Sequence, residues 1–225
     1  MPSAAETGGL RRFRHIAIEG PIGVGKSSLA RRLSAHLGAD LLLELPHENP
    51  YLGRFYADMP GYAFQTQLFF LFQRLKQMQA TVQPGMFASG VVSDFLFAKD
   101  ALFARLNLSD DEFRLYSQMH AQLAQQVPEP DLVIWLQAAP ETLLQRIRTR
   151  AIGIEQGIAP EYLQRLCKAY AEYFQGYAGA PVFAIGTERF NPSDRDADFA
   201  QLVQRLVRFE GPRESLGAHI DIAFD

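Results

Sequence analysis

One stretch near the amino terminus constrains this chain more than any other. Residues 20–27 read Gly-Pro-Ile-Gly-Val-Gly-Lys-Ser and fit the pattern G-x-x-x-x-G-K-[ST] without a mismatch. A strand-like run with alternating Ile16 and Ile18 precedes them, and a helix-like run that closes at Gly38 follows. Strand, loop and helix in this order are the setting in which the pattern forms a phosphate-binding loop.

The residue types of this loop suit a nucleoside triphosphate. Glycines let the backbone turn so that its N–H groups point inward at the positive end of a helix. Lys26 would place a cation on the β- and γ-phosphates, and the Ser27 hydroxyl suits Mg²⁺. A glycine-rich turn that binds nothing is the alternative. The predicted cofactors are ATP and Mg²⁺, and the predicted donor-binding residues are Gly20, Pro21, Ile22, Gly23, Val24, Gly25, Lys26, Ser27 and Ser28.

Composition excludes several classes of protein. The chain has 225 residues, of which 48% are hydrophobic and 21% charged, as in ordinary globular proteins. A net charge of −3 gives no sign of a nucleic-acid-binding surface, and the single Cys167 cannot form an internal disulfide. Residues 1–12 lack a signal-peptide core, and no segment approaches the ~18 consecutive apolar residues of a membrane span. We expect a cytoplasmic protein without nucleic-acid or membrane partners.

Short apolar runs predict a parallel sheet. Runs without alternation, bounded by turn signals, are typical of strands covered on both faces. Five strands alternating with helices predict an α/β fold with helices on both faces of the sheet. These strands are residues 13–19, 41–43, 90–94, 131–136 and 182–185. We expect one domain, residues 13–208, between a flexible lead-in, residues 1–12, and a C-terminal tail, residues 209–225.

Three acids follow or end predicted strands on the phosphate-loop side. In open parallel sheets, ligands collect at the carboxyl ends of the strands. Glu44 is therefore a candidate general base, with a solvated loop acid as the alternative and Glu48 as a second candidate. Asp94 is placed like a Mg²⁺-organising aspartate, although it could simply cap the next helix. Either Glu44 or Asp94 could complete a Mg²⁺ site with Ser27.

A long helix is predicted over residues 62–82, because its apolar residues recur at intervals of three and four. Gln67 and Arg74 are seven residues apart and share one face, where polar groups could contact the edge of a ring. The phenylalanines of this helix are expected in the core. The alternative is that one or two line a slot for a flat ligand.

A basic segment follows the helix start at Pro140. Arg146, Arg148 and Arg150 lead into a loop with two glycines before the helix restarts. We predict a lid over about residues 146–160, whose arginines stabilise charge on a transferring phosphoryl group and exclude water. A solvated charged face is the alternative. Glu155, inside this loop, could instead reach a substrate hydroxyl.

These features together resemble the deoxynucleoside kinase family, most closely its bacterial deoxyadenosine, deoxyguanosine and deoxycytidine kinase branch. The resemblance covers about residues 13–208. Its matching segments are Ile18–Leu29, Glu44 with Glu48–Leu52, Tyr62–Gln67, Ser93–Phe95, Glu155–Ile158 and Tyr162–Leu163. The resemblance implies a five-stranded P-loop kinase fold, a homodimer and a salvage enzyme. That enzyme would transfer the γ-phosphoryl group of ATP, or of another nucleoside triphosphate, to the 5′-hydroxyl of a deoxynucleoside.

Residue roles are carried over from the family position by position. Glu44 matches the general base, and Gln67 and Arg74 match residues that contact the nucleobase. Tyr56 and Glu155 match the pair that binds the deoxyribose 3′-hydroxyl. Arg146 and Arg150 match arginines that contact the donor phosphates. The sequence leaves the preferred deoxynucleoside open.

The chain departs from the family pattern at Asp94. Many members have Glu-Arg-Ser or Asp-Arg-Ser at the end of this strand, and no such tripeptide occurs here. Alignment through Leu102–Ala104 places Ser93 and Asp94 at that acid and arginine, whereas alignment to a later Ser-Asp makes Asp94 a base contact. In the first alignment, Lys99 or Arg74 could supply the missing positive charge.

Two other functions share parts of this pattern. A nucleoside monophosphate kinase has the same fold and loop but needs a positive site for the phosphate of its acceptor. A nucleotide-dependent switch or binding module needs no acceptor site, so Glu44 and the arginine-bearing segment argue against it. A deoxynucleoside kinase is the function that accounts for all of these features.

Overall fold

The structure is a computed structural model that describes residues 9–81, 90–150 and 153–217. Its centre is a sheet of strands β1 (His15–Glu19), β2 (Asp40–Leu42), β3 (Val91–Ser93), β4 (Leu132–Gln137), β5 (Val182–Gly186) and β6 (Arg213–Leu216). The strand order is β2-β3-β1-β4-β5-β6, and every neighbouring pair is parallel. The chain thus goes from β1 to the edge strand β2, returns to place β3 between them, and then adds β4, β5 and β6 on the other side.

Helices connect these strands. They are α1 (Lys26–Leu37), α2 (Leu52–Ala57), α3 (Met59–Thr81), α4 (Asp100–Asn107), α5 (Asp110–Ala124), α6 (Pro140–Arg150), α7 (Pro160–Gly176) and α8 (Asp196–Arg208). Short 3₁₀ turns cover Pro46–Glu48, Phe97–Lys99 and Gly153–Gly157. All five residues of β5 are buried, and because successive side chains point to opposite faces, the sheet is covered on both.

The predicted α/β fold is confirmed, but the predicted count of five strands is wrong. The sixth strand, β6, lies within the segment that was expected to be a tail, and it pairs with β5 along Val182–Ile185. Its sequence, Arg-Glu-Ser-Leu, alternates between exposed and partly buried side chains. An edge strand has only one neighbour, so it needs no continuous apolar run, and this is why the apolar-run criterion missed it.

The ends of the predicted domain are attached to it where the structure describes them. Residues 1–8 of the predicted lead-in lie outside the described residues. Leu10 is fully buried, and the Arg12 guanidinium donates to the Leu206 carbonyl at 3.3 Å. Residues 9–12 therefore pack against α8. Within the described ranges, no helix combines the length and apolar character needed to cross a bilayer.

The topology fixes where a ligand can enter. β1 lies between β3 and β4: the chain runs from β1 to β2 on one side of it and later crosses from β3 to β4 on the other side. At such a switch point a crevice opens beyond the carboxyl ends of the strands. The loop of residues 20–25 follows β1 directly and occupies this crevice, with α1 beginning at Lys26. The site is built around that loop.

Candidate active site

The loop after β1 requires its glycines for steric reasons. Gly20 has φ +150°, and a Cβ at this position would lie 2.3 Å from the Leu136 carbonyl oxygen. Gly25 has φ +104° and forms the N-cap of α1. Positive φ values are strained for residues with a side chain, whereas glycine adopts them freely. The loop therefore curls over the helix N-terminus, where its N–H groups favour an anion.

Lys26 is the first residue of α1, and its side chain reaches back over the loop. Its ammonium donates to the carbonyls of Gly20 at 2.7 Å and Pro21 at 3.2 Å. Burial, and then the neighbouring Lys99 ammonium, lower the pKa of Lys26 from its ordinary value. The position of this cation in the loop suits the β- and γ-phosphates of a nucleotide.

A pocket of about 370 Å³ extends from this loop to α3 and α7. Most of the residues predicted from sequence for the site line it. They are Ile22, Gly23, Gly25, Lys26, Ser27, Ser28, Glu44, Tyr56, Gln67, Arg74, Asp94, Arg150 and Glu155. Gly20 and Pro21 contribute carbonyls that hold Lys26, and Val24 is buried in the core.

Asp94 lies on the phosphate side of the pocket. Its carboxylate accepts a hydrogen bond from the Ser27 hydroxyl through Oδ2 and one from the Glu44 backbone N–H, at 2.6 Å, through Oδ1. Burial raises the pKa of Asp94, although the hydrogen bond from Ser27 opposes the shift. Of the two alignments, the structure agrees with the one that puts Asp94 beside the phosphate loop rather than against the base.

Glu44 lies just beyond β2 with its carboxylate among cations. Arg74 donates to Glu44 Oε1 through Nε at 2.9 Å and also through Nη2. Lys99 Nζ lies 3.9 Å from the same oxygen. Burial raises the pKa of Glu44, but Arg74, Lys99 and Lys26 outweigh it and lower the pKa to about 2. The carboxylate is therefore ionised at neutral pH and able to accept a proton.

Glu48, the second candidate for the base, lies elsewhere. It is exposed and accepts a hydrogen bond from Gln73 Nε2 at 2.9 Å. It ends the short turn Pro46–Glu48 and is not among the residues that line the pocket. Geometry therefore separates the two acids, which composition could not do.

Asp100 is a site residue that the sequence reasoning missed. It is fully buried at the start of α4, and its Oδ1 accepts a hydrogen bond from Arg74 Nη1. Burial raises the pKa of Asp100 to about 6, against the opposing effect of Arg74. Arg74 thus bridges Glu44 and Asp100. The one available signal was an acid at a helix start, and acids at helix starts are common for capping reasons alone.

The far end of the pocket could hold a ring and a sugar. Gln67 is 4% exposed, and its amide has no hydrogen-bond partner among the residues the structure describes. Phe70 also lines this end, with the Arg74 guanidinium 4.9 Å from its ring centroid. Tyr56 and Glu155 lie together on another wall, where burial and then the neighbouring Tyr162 and Glu155 raise the pKa of Tyr56.

The predicted lid arginines divide into two kinds. Arg150 lines the pocket and donates to Glu155 Oε2. Arg146 points away from it, donating to the Thr187 hydroxyl and carbonyl at 2.8 Å each. Arg148 is exposed. Residues 151 and 152 of the predicted lid lie outside the described residues. The structure therefore brings Arg150, but not Arg146, to the site.

The donor set of the site suits Mg²⁺. The Ser27 hydroxyl and the two Asp94 carboxylate oxygens are hard oxygen ligands, which Mg²⁺ prefers. In the described part of the chain, no cluster of three or more His, Cys, Asp or Glu side chains could hold a metal by itself. A Mg²⁺ ion here would therefore complete its coordination with water and substrate phosphates.

Comparisons with known proteins show which family the chain resembles along most of its length. The family model described as deoxynucleoside kinase matches residues 16–209. The chain is 36% identical over 156 residues to a deoxyguanosine kinase of Bacillus subtilis, covering 69% of this chain and 75% of the relative. It is 34% identical over 201 residues to a deoxyadenosine kinase of Dictyostelium discoideum, covering 87% of this chain and 81% of the relative.

A solved structure shares the fold as well. The deoxyadenosine kinase of M. mycoides with bound dATP superposes with a TM-score of 0.75 at 25% identity, covering 86% of this chain and 98% of that chain. The chain therefore belongs to the deoxynucleoside kinase family, whose members are phosphotransferases that act on a hydroxyl acceptor.

Proposed function

We propose that this enzyme transfers the γ-phosphoryl group of ATP, or of another nucleoside triphosphate, to the 5′-hydroxyl of a deoxynucleoside in nucleotide salvage. One observation carries the proposal. The phosphate loop with Lys26, the ionised Glu44 and the buried amide of Gln67 all line one pocket. A donor phosphate, an attacking hydroxyl and the edge of a nucleobase would each have a matching group there.

The donor end of the pocket would hold the triphosphate. The loop N–H groups and Lys26 receive its β- and γ-phosphates, and Arg150 approaches them from α6. Ser27 and Asp94 would hold Mg²⁺, which when bound neutralises charge that develops on the phosphates. Asp94 is kept in place for this role by the Glu44 backbone N–H.

The acceptor end would hold the deoxynucleoside. Gln67 and Arg74, which Asp100 holds in place, would face the edge of the nucleobase, while Tyr56 and Glu155 would bind the deoxyribose 3′-hydroxyl. Glu44 accepts the proton of the 5′-hydroxyl as that oxygen attacks phosphorus. The enzyme does little covalent chemistry itself, since phosphoryl transfer depends on positioning and on charge stabilisation.

An acceptor screen tests this proposal. Purified enzyme with ATP and Mg²⁺ would be given deoxyadenosine, deoxyguanosine, deoxycytidine, thymidine or dAMP, and product would be resolved chromatographically. The relatives named deoxyguanosine kinase and deoxyadenosine kinase lead us to expect the two purine deoxynucleosides to react best. Phosphorylation of dAMP alone would instead indicate a monophosphate kinase, and ATP consumption that no acceptor increases would indicate a switch.

We further propose that the enzyme is a cytoplasmic homodimer. Two large apolar side chains are exposed on helices that contact each other, Phe72 on α3 (48% exposed) and Leu115 on α5 (51% exposed). A second copy of the chain would remove both from water. Light scattering coupled to gel filtration tests the dimer, and a mass near the 25.3 kDa of one chain would contradict it.

A further inference from the structure

Lys99 is a buried cation in the wall of the active-site pocket. It ends the 3₁₀ turn that follows β3, and the residue is 2% exposed. Its ammonium lies 3.2 Å from Glu19 Oε1 and 3.9 Å from Glu44 Oε1. Lys99 therefore lies between the residue that precedes the phosphate loop and the proposed base. A charge at this point faces the place where donor and acceptor meet.

The position of Lys99 is set by a fixed group rather than by a mobile ion pair. Glu19 is fully buried, and its Oε1 also accepts from the Gly20 N–H and the Tyr170 hydroxyl, each at 2.8 Å. Its Oε2 accepts from the Leu96 N–H at 2.7 Å. Four donors from separate elements thus hold one carboxylate still, and Lys99 is one of them. Such a network orients the ammonium toward the pocket.

Lys99 also has hydrogen-bonding capacity to spare. An ammonium has three N–H donors, and within the described residues only Glu19 lies at hydrogen-bonding distance from it. Arg74, the other buried cation beside Glu44, uses Nε, Nη1 and Nη2 on Glu44 and Asp100. Arg74 is thereby fixed between two carboxylates, whereas Lys99 has one hydrogen-bond partner among the described residues and two further N–H groups for a substrate.

Electrostatics indicate which kind of substrate group Lys99 receives. Lys26 and Lys99 are two cations that line the same pocket. Glu19 and Glu44 offset part of the repulsion between the two ammonium groups, and an anionic substrate group that enters the pocket would offset more of it. The phosphoryl group in transit is an anion that would pass between the loop of Lys26 and the hydroxyl activated by Glu44.

We propose that Lys99 is a catalytic residue that donates a hydrogen bond to the phosphoryl group during transfer, with Glu19 and Tyr170 as positioning residues. This inference rests on the proposed function. In the step, the acceptor 5′-oxygen bonds to phosphorus, the bond from phosphorus to the β,γ-bridging oxygen breaks with its electron pair leaving on that oxygen, and Glu44 takes the hydroxyl proton. Lys99 keeps its protons throughout and contacts a non-bridging oxygen.

Steady-state kinetics with deoxyadenosine, deoxyguanosine and ATP test the inference. We expect Lys99→Met to lower kcat about 10²- to 10³-fold with little change in either KM, and Lys99→Arg to recover part of the loss. Lys76→Met, at an exposed lysine of α3, is the matched control and keeps wild-type kcat. A folded Lys99→Met enzyme with kcat within threefold of wild type would overturn the inference alone. A wild-type enzyme that phosphorylates no nucleoside would overturn the proposed function as well.

A double variant separates chemistry from charge balance. Lys99→Met removes the cation that neutralises Glu19. Glu19→Gln is therefore combined with it, to remove the buried negative charge while keeping an acceptor oxygen. We expect the double variant to regain thermal stability but not kcat. If kcat returned with stability, Lys99 would be only a counter-charge and the inference would be wrong.

Binding measurements supply a readout that does not depend on turnover. Calorimetry would compare Mg²⁺·ADP alone with Mg²⁺·ADP plus aluminium fluoride and deoxyadenosine, a mimic of the phosphoryl group in transit. The double variant should bind ADP like wild type and lose at least about tenfold affinity for the mimic. Equal affinities of the two enzymes for the mimic would contradict the contact.

Discussion

Arg74, on α3, binds the carboxylate of Glu44 with two hydrogen bonds: Nε donates to Oε1 at 2.9 Å, and Nη2 donates to the same oxygen. Arg74 also binds Asp100 through Nη1. The proposed general base, Glu44, is therefore connected by hydrogen bonds to the residues proposed to recognise the nucleobase, Arg74 and Asp100. A nucleoside that engages Arg74 would therefore act on the orientation of Glu44. In the proposed mechanism, recognition of the nucleobase and activation of the 5′-hydroxyl would share a single guanidinium.

The first prediction concerns the general base. Glu44→Gln keeps an oxygen for Arg74 but cannot accept a proton, so we expect kcat to fall by about 10²- to 10⁴-fold while ADP binding is retained. Stopped-flow or steady-state assays with deoxyadenosine measure the change. Glu48→Gln is the matched control, because Glu48 is exposed and contacts Gln73 outside the pocket. A larger loss in Glu48→Gln than in Glu44→Gln would move the base to Glu48.

The second prediction is a shift in the pH profile. Glu44 has a pKa lowered to about 2, and Arg74 is the largest of the charges that lower it. A base is lost when pH falls below its pKa, so wild-type kcat/KM should not lose activity through Glu44 above about pH 4. In Arg74→Gln the largest opposing charge is lost, so burial raises the pKa of Glu44. We expect the acid limb of the kcat/KM profile to move upward by about one to three pH units.

Two further variants make this profile interpretable. Arg74→Lys keeps a positive charge and should move the limb less than Arg74→Gln. Asp100→Asn leaves Arg74 on Glu44 but removes a carboxyl whose own pKa is raised to about 6. An inflection near pH 6 that disappears in Asp100→Asn therefore belongs to Asp100. An acid limb at the same pH in wild type and Arg74→Gln would contradict the electrostatic role of Arg74.

The pattern in residues 20–27 predicted the loop because the conformation depends on residue type at each position. The family assignment confirms the resemblance, and the sheet confirms the fold class apart from its sixth strand. The pairing of Arg74 with Asp100 was not predictable, since these residues are 26 positions apart and meet only when α3 packs on α4. Local patterns give elements and their ends, whereas such contacts follow from packing.

Asp94 and Arg146 also show that local sequence patterns do not predict side-chain contacts. Both had sequence-based roles, and both depended on where a side chain points after folding. Asp94 accepts a hydrogen bond from Ser27, a contact that fits one of the two alignments better than the other. Arg146 lies one turn before Arg150 on α6, yet it binds Thr187, which is buried just after β5. A helix of arginines does not by itself indicate which one enters the site.

The third prediction is a stability effect in the loop. In Gly20→Ala, the new Cβ would meet the Leu136 carbonyl oxygen at 2.3 Å in a backbone with φ +150°. Strain of this kind costs about 1–3 kcal/mol before the clash is counted, so we expect Tm to fall by roughly 2–10 °C. Nucleotide binding should weaken with it. Thermal unfolding with and without ADP measures both effects.

Gly53→Ala is the control for that experiment. Gly53 lies in α2, and a Cβ there would meet nothing within 4 Å. Alanine is a better helix former than glycine, so this change should leave Tm unchanged or raise it slightly. Equal effects of the two substitutions would mean that the close approach of Gly20 to Leu136 does not limit the loop.

The last prediction separates the two arginines of α6. Arg150 lines the pocket and is held by Glu155, so Arg150→Ala should lower kcat about 10²-fold with Tm nearly unchanged. Arg146 makes two hydrogen bonds of 2.8 Å to Thr187, so Arg146→Ala should mainly lower Tm by a few degrees. Arg148→Ala, at an exposed position of the same helix, is the control for both. If Arg146→Ala lowered kcat more than Arg150→Ala at unchanged Tm, Arg146 would have to leave Thr187 during turnover, and it would be the arginine that reaches the donor phosphates.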